Sequence, residues 1–451
     1  MDRPIPAEIV ACVQELASAL GAWCEQGRDR PLEEHEDAVL ERVRAVLPRL
    51  LGGVVRAATS GLDPRLARAR AACPTCGRKV APWERARART VDTRCGTVAL
   101  RAPWYHCDGC RRGWSVVGTT LGVPARARLS AGLRGWVVRL GATTDHREAV
   151  ELLEELTGLA VGRDTVRRHA TAAGTALAAA EDAAVAAVAA VERTREAAEP
   201  VDAAPGHLLV EADGVMVRFP DGWHEAKVAA VGGVRDGEAA ALSYVAAREG
   251  PDRFGPRVLA EAARRGALDV VGWTGPLRGR GLARLRPVVV LGDGARWIWE
   301  LAAEHFGACV EVLDYYHASQ HLWEVARALH PEAAAAAAWA EPLARRLRDE
   351  GAAPVLAALA AAVARDPAAA DLLRRERAFF RTNAARMAYP AFRARGLPIG
   401  SGAVESAARH VVQARLKRPG MRWSEPGARA MLALRARLRS GRPLTPPPHA
   451  A

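Results

Sequence analysis

The stretch Leu208-Leu-Val-Glu-Ala-Asp-Gly214 runs an apolar strand straight into Asp-Gly, and Val288-Val-Val-Leu-Gly-Asp-Gly294 repeats the plan further along the chain. A third stretch, Leu397-Pro-Ile-Gly-Ser-Gly-Ala-Val-Glu-Ser-Ala-Ala-Arg-His410, places Glu405 just inside a helix that opens after a Gly-Ser-Gly turn. Each acid taken singly has an ordinary explanation. Asp-Gly is a common turn, Asp293 can be an N-cap, and Glu405 can be a solvated helix residue or a capping-box acid after Ser401 or Gly402. Together they are three acids at strand and helix ends, which can meet in space. Glu211 shares the face of Asp213 by strand period and is the substitute candidate.

The segments around these acids decide the fold class. His207–Phe219, Glu225–Val234 and Ala239–Ala247 are apolar or alternating runs separated by Asp221-Gly222 and Asp236-Gly237, and they predict three consecutive antiparallel strands. A helix at Phe254–Gly266, a strand at Pro287–Leu291, a helix over Ala295–Phe306 and a strand at Cys309–Leu313 follow. That order makes a mixed α/β fold with a core resembling ribonuclease H. From His317 to Arg395 strand signal almost vanishes and Ala, Leu, Arg and Glu dominate, which predicts an all-helical insertion ahead of Glu405.

The chain before the core reads differently. Residues 8–24 and 32–58 carry apolar positions at helical spacing, with Pro31 and Pro48 as punctuation. Cys73-Pro-Thr-Cys76 and Cys107-Asp-Gly-Cys110 are two Cys-x-x-Cys knuckles joined by a strand-rich connection, residues 77–106. Four thiolates at tetrahedral geometry select structural Zn²⁺, with metal-free packing or redox use as the alternative and Cys95 as a spare ligand or buried thiol. Trp83, Trp104, Tyr105 and Trp114, interleaved with Arg85, Arg87, Arg89 and Arg101, can stack on bases or form a small ribbon core. An apolar helix ending at Gly158 and a second helix bearing Arg163, Arg167 and Arg168 fit a helix-turn-helix DNA reader or an ordinary αα-hairpin. The boundaries expected are a helical region at 1–64, a zinc ribbon at 65–125, a helix-turn-helix region at 126–174 and a connecting helix and linker at 175–205. The core's first part follows at 206–316, the helical insertion at 317–396, the Glu405 helix with a basic tail at 397–442, and a disordered tail at 443–451.

Charge is distributed in a way that suits a polyanion. The chain of 451 residues has a net charge of +13, with Lys only at 79, 227 and 417. From Arg65 to Trp114 there are 12 basic and 3 acidic residues, and from Ser406 to Arg442 there are 10 and 1. Between Val201 and Glu300 there are 13 of each, so positive charge flanks a neutral centre, as a DNA grip around a catalytic site requires. No signal-peptide layout and no run of about 18 uncharged apolar residues is present. A cytoplasmic chain with no membrane partner is expected.

Phosphodiester chemistry on DNA is commonly run by two divalent ions held by carboxylates from separate elements. Asp213 would bridge two Mg²⁺ (or Mn²⁺) ions, with Asp293 binding one and Glu405 the other. These segments closely resemble the DDE transposases of bacterial insertion sequences, specifically the Kra-type group related to the Mutator-like superfamily. The residues that carry the resemblance are Val210-Glu-Ala-Asp-Gly214, Gly292-Asp-Gly-Ala-Arg-Trp-Ile-Trp299, Leu313-Asp-Tyr-Tyr-His-Ala318 and Ile399-Gly-Ser-Gly-Ala-Val-Glu-Ser406. The resemblance implies a ribonuclease H-like fold, Mg²⁺-dependent cleavage at transposon ends, and strand transfer by the freed 3′-hydroxyl into target DNA. It also implies a homo-oligomer assembled on double-stranded DNA. His317, in Asp314-Tyr-Tyr-His317, is implied to contact the scissile phosphate or orient a ligand, or else is a core histidine. Arg296, Trp297 and Trp299 can hold flanking phosphate or an unstacked base, or simply pack. Arg409, Arg415, Lys417 and Arg418 are expected to carry positive charge from the Glu405 helix towards the DNA backbone. A non-catalytic DNA-binding regulator and a structure-specific nuclease on the same core are the competing functions.

Overall fold

The computed structural model describes residues 5–59, 69–189, 206–265, 268–270, 282–284 and 287–445. They form a mixed α/β chain with several separate sheets. Two compact units divide it, Met1–His169 and Ala170–Ala451. The tail expected to be disordered lies outside the described residues from 446 on, as does the proline-bearing part of the expected linker, residues 190–205.

In the first unit, helices α1 (Ala7–Gln26) and α2 (Leu32–Thr59) pair antiparallel, with Arg49 meeting Glu15 at 2.6 Å and Arg56 meeting Glu8. Pro48 does not punctuate. It sits inside α2, and its ring lies against Gly96, where an added Cβ would come within 2.5 Å of the proline Cγ. Local packing thus retains a residue that local propensity would use as a stop. By length and mean hydropathy (1.2) α1 alone among the described helices could span a membrane, although Glu8 and Glu15 lie within it.

Strands β1 (Ala71–Ala72) and β2 (Lys79–Val80) form a small antiparallel pair. Next to them β3 (Pro82–Thr93), β4 (Gly96–Cys107) and β5 (Arg112–Trp114) make an antiparallel three-stranded sheet. Helices α3 (Val116–Thr120), α4 (Ala131–Thr143) and α5 (His146–Thr157) follow. Asp145 caps α5, accepting from the N–H groups of Arg147 and Glu148, and Gly158 closes it at φ 70°. Leu133, Val137, Ala149, Leu153, Val161 and Val166 bury one apolar seam among α4, α5 and the start of α6 (Arg163–Ala189). The boundary expected at 174/175 falls inside α6. No proline interrupts that run, and Gly174 allows the helix backbone close to the Ala430 carbonyl, which an added Cβ would approach to 2.1 Å.

The second unit is built on a five-stranded sheet in the order β12-β11-β6-β7-β8. Its strands are β6 (Leu208–Phe219), β7 (Gly222–Arg235), β8 (Glu238–Ala247), β11 (Val288–Gly292) and β12 (Val310–Leu313). The first three are antiparallel hairpin neighbours, whereas β11 runs parallel to both β6 and β12. Every residue of β11 is buried, which explains its unbroken apolar sequence. A separate short pair, β9 (Leu268–Val270) with β10 (Leu282–Arg284), was not legible in the sequence. Helix α7 (Pro251–Arg264) carries buried Arg257, which pairs with Glu249 at 2.8 Å, Asp182 at 3.0 Å and Glu181 at 3.3 Å, so it ties α7 to α6. Helix α8 (Arg296–Leu301) continues as a π-helical turn to Phe306.

After β12 the chain is helical: α9 (Tyr315–Leu329), α10 (Ala333–Glu350), α11 (Ala353–Ala361), α12 (Pro367–Thr382) and α13 (Tyr389–Ala394). Then come α14 (Gly402–Ala407), a π-helical turn to Gln413, α15 (Ala414–Leu416) and α16 (Glu425–Arg439). Ser440, just past α16, takes the Tyr244 N–H of β8 on its Oγ at 2.9 Å.

Candidate functional site

Register brings the first two acids together. Gly292 of β11 lies opposite Ala212 of β6 in a parallel pair, so Asp213 and Asp293 occupy the next position on neighbouring chains. Asp213 accepts the Gly214 N–H at 2.6 Å, and Asp293 accepts the Ala295 N–H at 2.8 Å as the chain turns into α8. Burial pushes the Asp213 carboxyl up to about 6; the Gly214 N–H opposes the rise, and the charges of Asp293, Glu225 and Glu405 add to it. Asp213 therefore senses both of the other expected acids, and Glu225 as well. Glu225 is paired with Lys227, whose ammonium sits 5.0 Å from the Trp297 ring centroid. Among the described residues Asp213, Asp293 and Glu405 have no ion-pair partner. Asp213, Asp293 and Glu405 offer oxygen donors from a strand, a strand end and a helix, but among the described residues their carboxylate oxygens do not converge within 4.8 Å of one another as those of a metal-capable group do.

The helix that bears Glu405 is held by buried acids that no local pattern singles out for that task. Glu211 is fully buried, and its Oε2 accepts the Val404 N–H at 2.8 Å, so a β6 carboxylate caps the helix that bears Glu405. Burial pushes Glu211 up to about 8, against the pull of the Val404 and Ala403 N–H groups and with the nearby charge of Asp314 adding to the rise. Glu211 is therefore no substitute for Asp213, because its oxygens face the α14 backbone and the protein interior rather than an open centre. Asp314, also buried, accepts the His317 N–H at 2.6 Å and the Ser401 N–H, and the Ile399 carbonyl accepts the Tyr315 N–H at 2.8 Å. These bonds dock the Ile399–Ser401 turn against the end of β12. Glu405 itself is exposed, with Ser401 Oγ at 3.4 Å.

His317 is half-buried near the start of α9. Its Nε2 lies 3.2 Å from His321 Nε2, and His321 Nδ1 lies 2.8 Å from Glu376 Oε2 on α12. His321 was not singled out in the sequence, although its i,i+4 spacing from His317 is a signal that could have found it; nothing local points to Glu376. His321, Glu324 and Glu376 also lie close enough together to hold a metal ion.

The remaining expected contacts divide by exposure. Arg163, Arg167 and Arg168 are exposed along one end of α6, and Arg296, Arg409 and Lys417 are exposed in the second unit, with Arg418 half-buried. Arg415 is a correction: it is 1 % exposed, reaches Met421 Sδ at 3.4 Å and stacks 5.2 Å from the Trp423 centroid, so packing removes it from any DNA surface. Trp299 is buried beneath the Arg386 guanidinium at 4.4 Å and packs, while Trp297 is half-buried under Lys227.

In the first unit the sulfurs of Cys73, Cys76, Cys107 and Cys110 converge within 4.8 Å of one another, a cluster that could hold a metal such as zinc. The Thr75 and Cys76 N–H groups lower Cys73 to about 6, while sharing with Cys76, reinforced by burial, pushes Cys110 up to about 12. Four thiols so placed cannot all ionise without a cation. Tyr105 and Trp114 stack at 5.5 Å beneath the cluster as its apolar floor, which leaves Trp83, 71 % exposed, as the open aromatic of this sheet. Cys95 lies in the β3–β4 turn, at the opposite end of β4 from Cys107, and is no spare ligand.

The sequence matches the Uncharacterised protein family (UPF0236) over residues 32–445. The chain belongs to this family. The match spans the cysteine quartet and all three acids, so both centres lie in the family's shared region. No curated protein matches the chain significantly.

Proposed function

We propose that this UPF0236 chain is a DDE-type DNA transposase of a bacterial insertion sequence, resembling the Kra-type group, that cleaves transposon ends and joins them to target DNA. The observation that carries the reading is the electrostatic grouping of Asp213, Asp293 and Glu405 at one end of the β6–β11 pair. The sheet order β12-β11-β6-β7-β8, with the first three strands in sequence antiparallel and the next two parallel to β6, supports a ribonuclease H-like core. The helices α9 to α13, falling between the second acid and the third, support the insertion that the resemblance implies.

Asp213, Asp293 and Glu405 would hold the catalytic Mg²⁺, and the repulsion that Asp213 feels from the other two, none of the three being ion-paired among the described residues, fits that role. Divalent ions at such a centre supply activation of an attacking hydroxyl and stabilisation of the leaving oxygen. The protein's own part is orientation: Glu211 and Asp314 fix the approach of α14, and Lys227 beside Glu225 limits the negative charge near Asp213. The exposed arginines of α6 and the basic residues after Glu405 would grip phosphates, with the four-cysteine ribbon holding structural Zn²⁺.

The test is incubation with Mg²⁺ and DNA carrying the element's terminal inverted repeats. Joined products that vanish in Asp213→Ala, Asp293→Ala and Glu405→Ala are expected. Tight binding without cleavage would replace the reading with a DNA-binding regulator, and cleavage without joining would replace it with a nuclease.

A further inference from the structure

The contact between α9 and α12 contains a row of polar side chains that the proposed chemistry leaves unused. Glu376, only 7 % exposed, places Oε2 at 2.8 Å from His321 Nδ1, and His321 Nε2 faces His317 Nε2 at 3.2 Å. We propose that Glu376 and His321 are positioning residues that fix the tautomer of His317, leaving its Nδ1 as the nitrogen with the free lone pair.

The order follows from donor and acceptor capacity. An ionised carboxylate only accepts, so His321 Nδ1 must carry the hydrogen it gives to Glu376. A neutral imidazole has one donor and one acceptor, so His321 Nε2 accepts and His317 Nε2 donates to it. That assigns the proton of neutral His317 to Nε2. Its Nδ1 forms no hydrogen bond among the described residues. Phe379 stacks on His321 at 4.1 Å and 23°, which holds the ring plane that this chain of bonds needs. Neutral His317 can then accept a hydrogen bond from a hydroxyl or water, or ligate, but cannot donate through Nδ1 to a phosphate oxygen. This catalytic consequence rests on the transposase reading; the tautomer itself does not.

The full chain labelled with ¹⁵N-histidine would be studied by long-range ¹H–¹⁵N correlation at pH 8, with signals assigned through His317→Gln and His321→Gln. The expected result is Nδ1–H on His321 and Nε2–H on His317. Glu376→Leu should scramble both, while Glu376→Gln, whose amide oxygen still accepts, should keep them. Strand-transfer kcat should fall at least tenfold in Glu376→Leu, with binding of terminal-repeat DNA unchanged, and recover in Glu376→Gln. If the leucine variant does not fold, the native spectrum and the glutamine variant decide. Nδ1–H on His317 in the native chain overturns the proposal. So does a stoichiometric Zn²⁺-induced shift of the His321 nitrogens that Glu324→Gln abolishes, since the cluster would then be a metal site. Native tautomers as expected in a chain without strand transfer would sink the transposase reading alone.

Discussion

Two carboxylates two positions apart on β6, Glu211 buried and Asp213 half-buried, differ in what surrounds them. Asp213 is raised to about 6 by burial and by its acidic neighbours, so removing its charge should relieve the metal-free protein. Asp213→Asn is expected to raise the thermal midpoint in EDTA by the equivalent of about 1 kcal/mol. On the proposed function, Mg²⁺ should raise the native chain's midpoint further and leave that of the variant unchanged, and calorimetry with and without Mg²⁺ checks both. Glu211 instead caps a helix from the interior. Its folded-state value of about 8 lies above the ordinary 4.5, so the folded chain binds this proton more tightly than the unfolded one. That contribution is complete below about 4.5 and is lost as pH rises through about 8. Glu211→Gln, which cannot ionise and keeps an acceptor for Val404, should therefore gain on the native chain between pH 5 and pH 9. Urea unfolding should show a relative gain of a few kcal/mol, as an order of magnitude. An unchanged difference across that range would show that Glu211 remains ionised.

At the scale of elements, the same residue type has opposite value according to what packs on it. Gly21 in α1 has open space around an added Cβ, whereas Gly174 in α6 would drive one to 2.1 Å from the Ala430 carbonyl oxygen. Gly21→Ala should stabilise by roughly 0.5–1 kcal/mol through helix propensity. Gly174→Ala should destabilise by roughly 1–3 kcal/mol through overpacking against α16. Chemical denaturation of the two variants beside the native chain separates the effects, and equal shifts would contradict the packing of α6 on α16. Pro48 makes the same point from the other side, since a helix breaker persists in α2 because its ring packs against Gly96.

For the whole molecule, the thiol quartet and the carboxylate group lie in different units, and the proposed function assigns them different metals. Zinc analysis should find about one ion per chain, lost in Cys76→Ser and Cys110→Ser. A chelator selective for zinc should open residues 71–114 to protease before the sheet formed by β6, β7, β8, β11 and β12. Digestion of that sheet first would contradict a zinc role in holding the cysteine-bearing strands. The sequence by itself determined the mixed α/β class, the order along the chain of the five strands of the main sheet, the cysteine pairs and the identity of three candidate acids. Those readings rest on short-range signals: apolar runs, Asp-Gly ends and knuckle spacing. Tertiary structure alone decided that Glu211 caps the Glu405 helix across the fold, that Arg415 is buried against Trp423, and that Glu376 reaches His321. Nothing local marks those roles, because a buried carboxylate or guanidinium takes its function from whatever distant backbone or ring completes its hydrogen bonds.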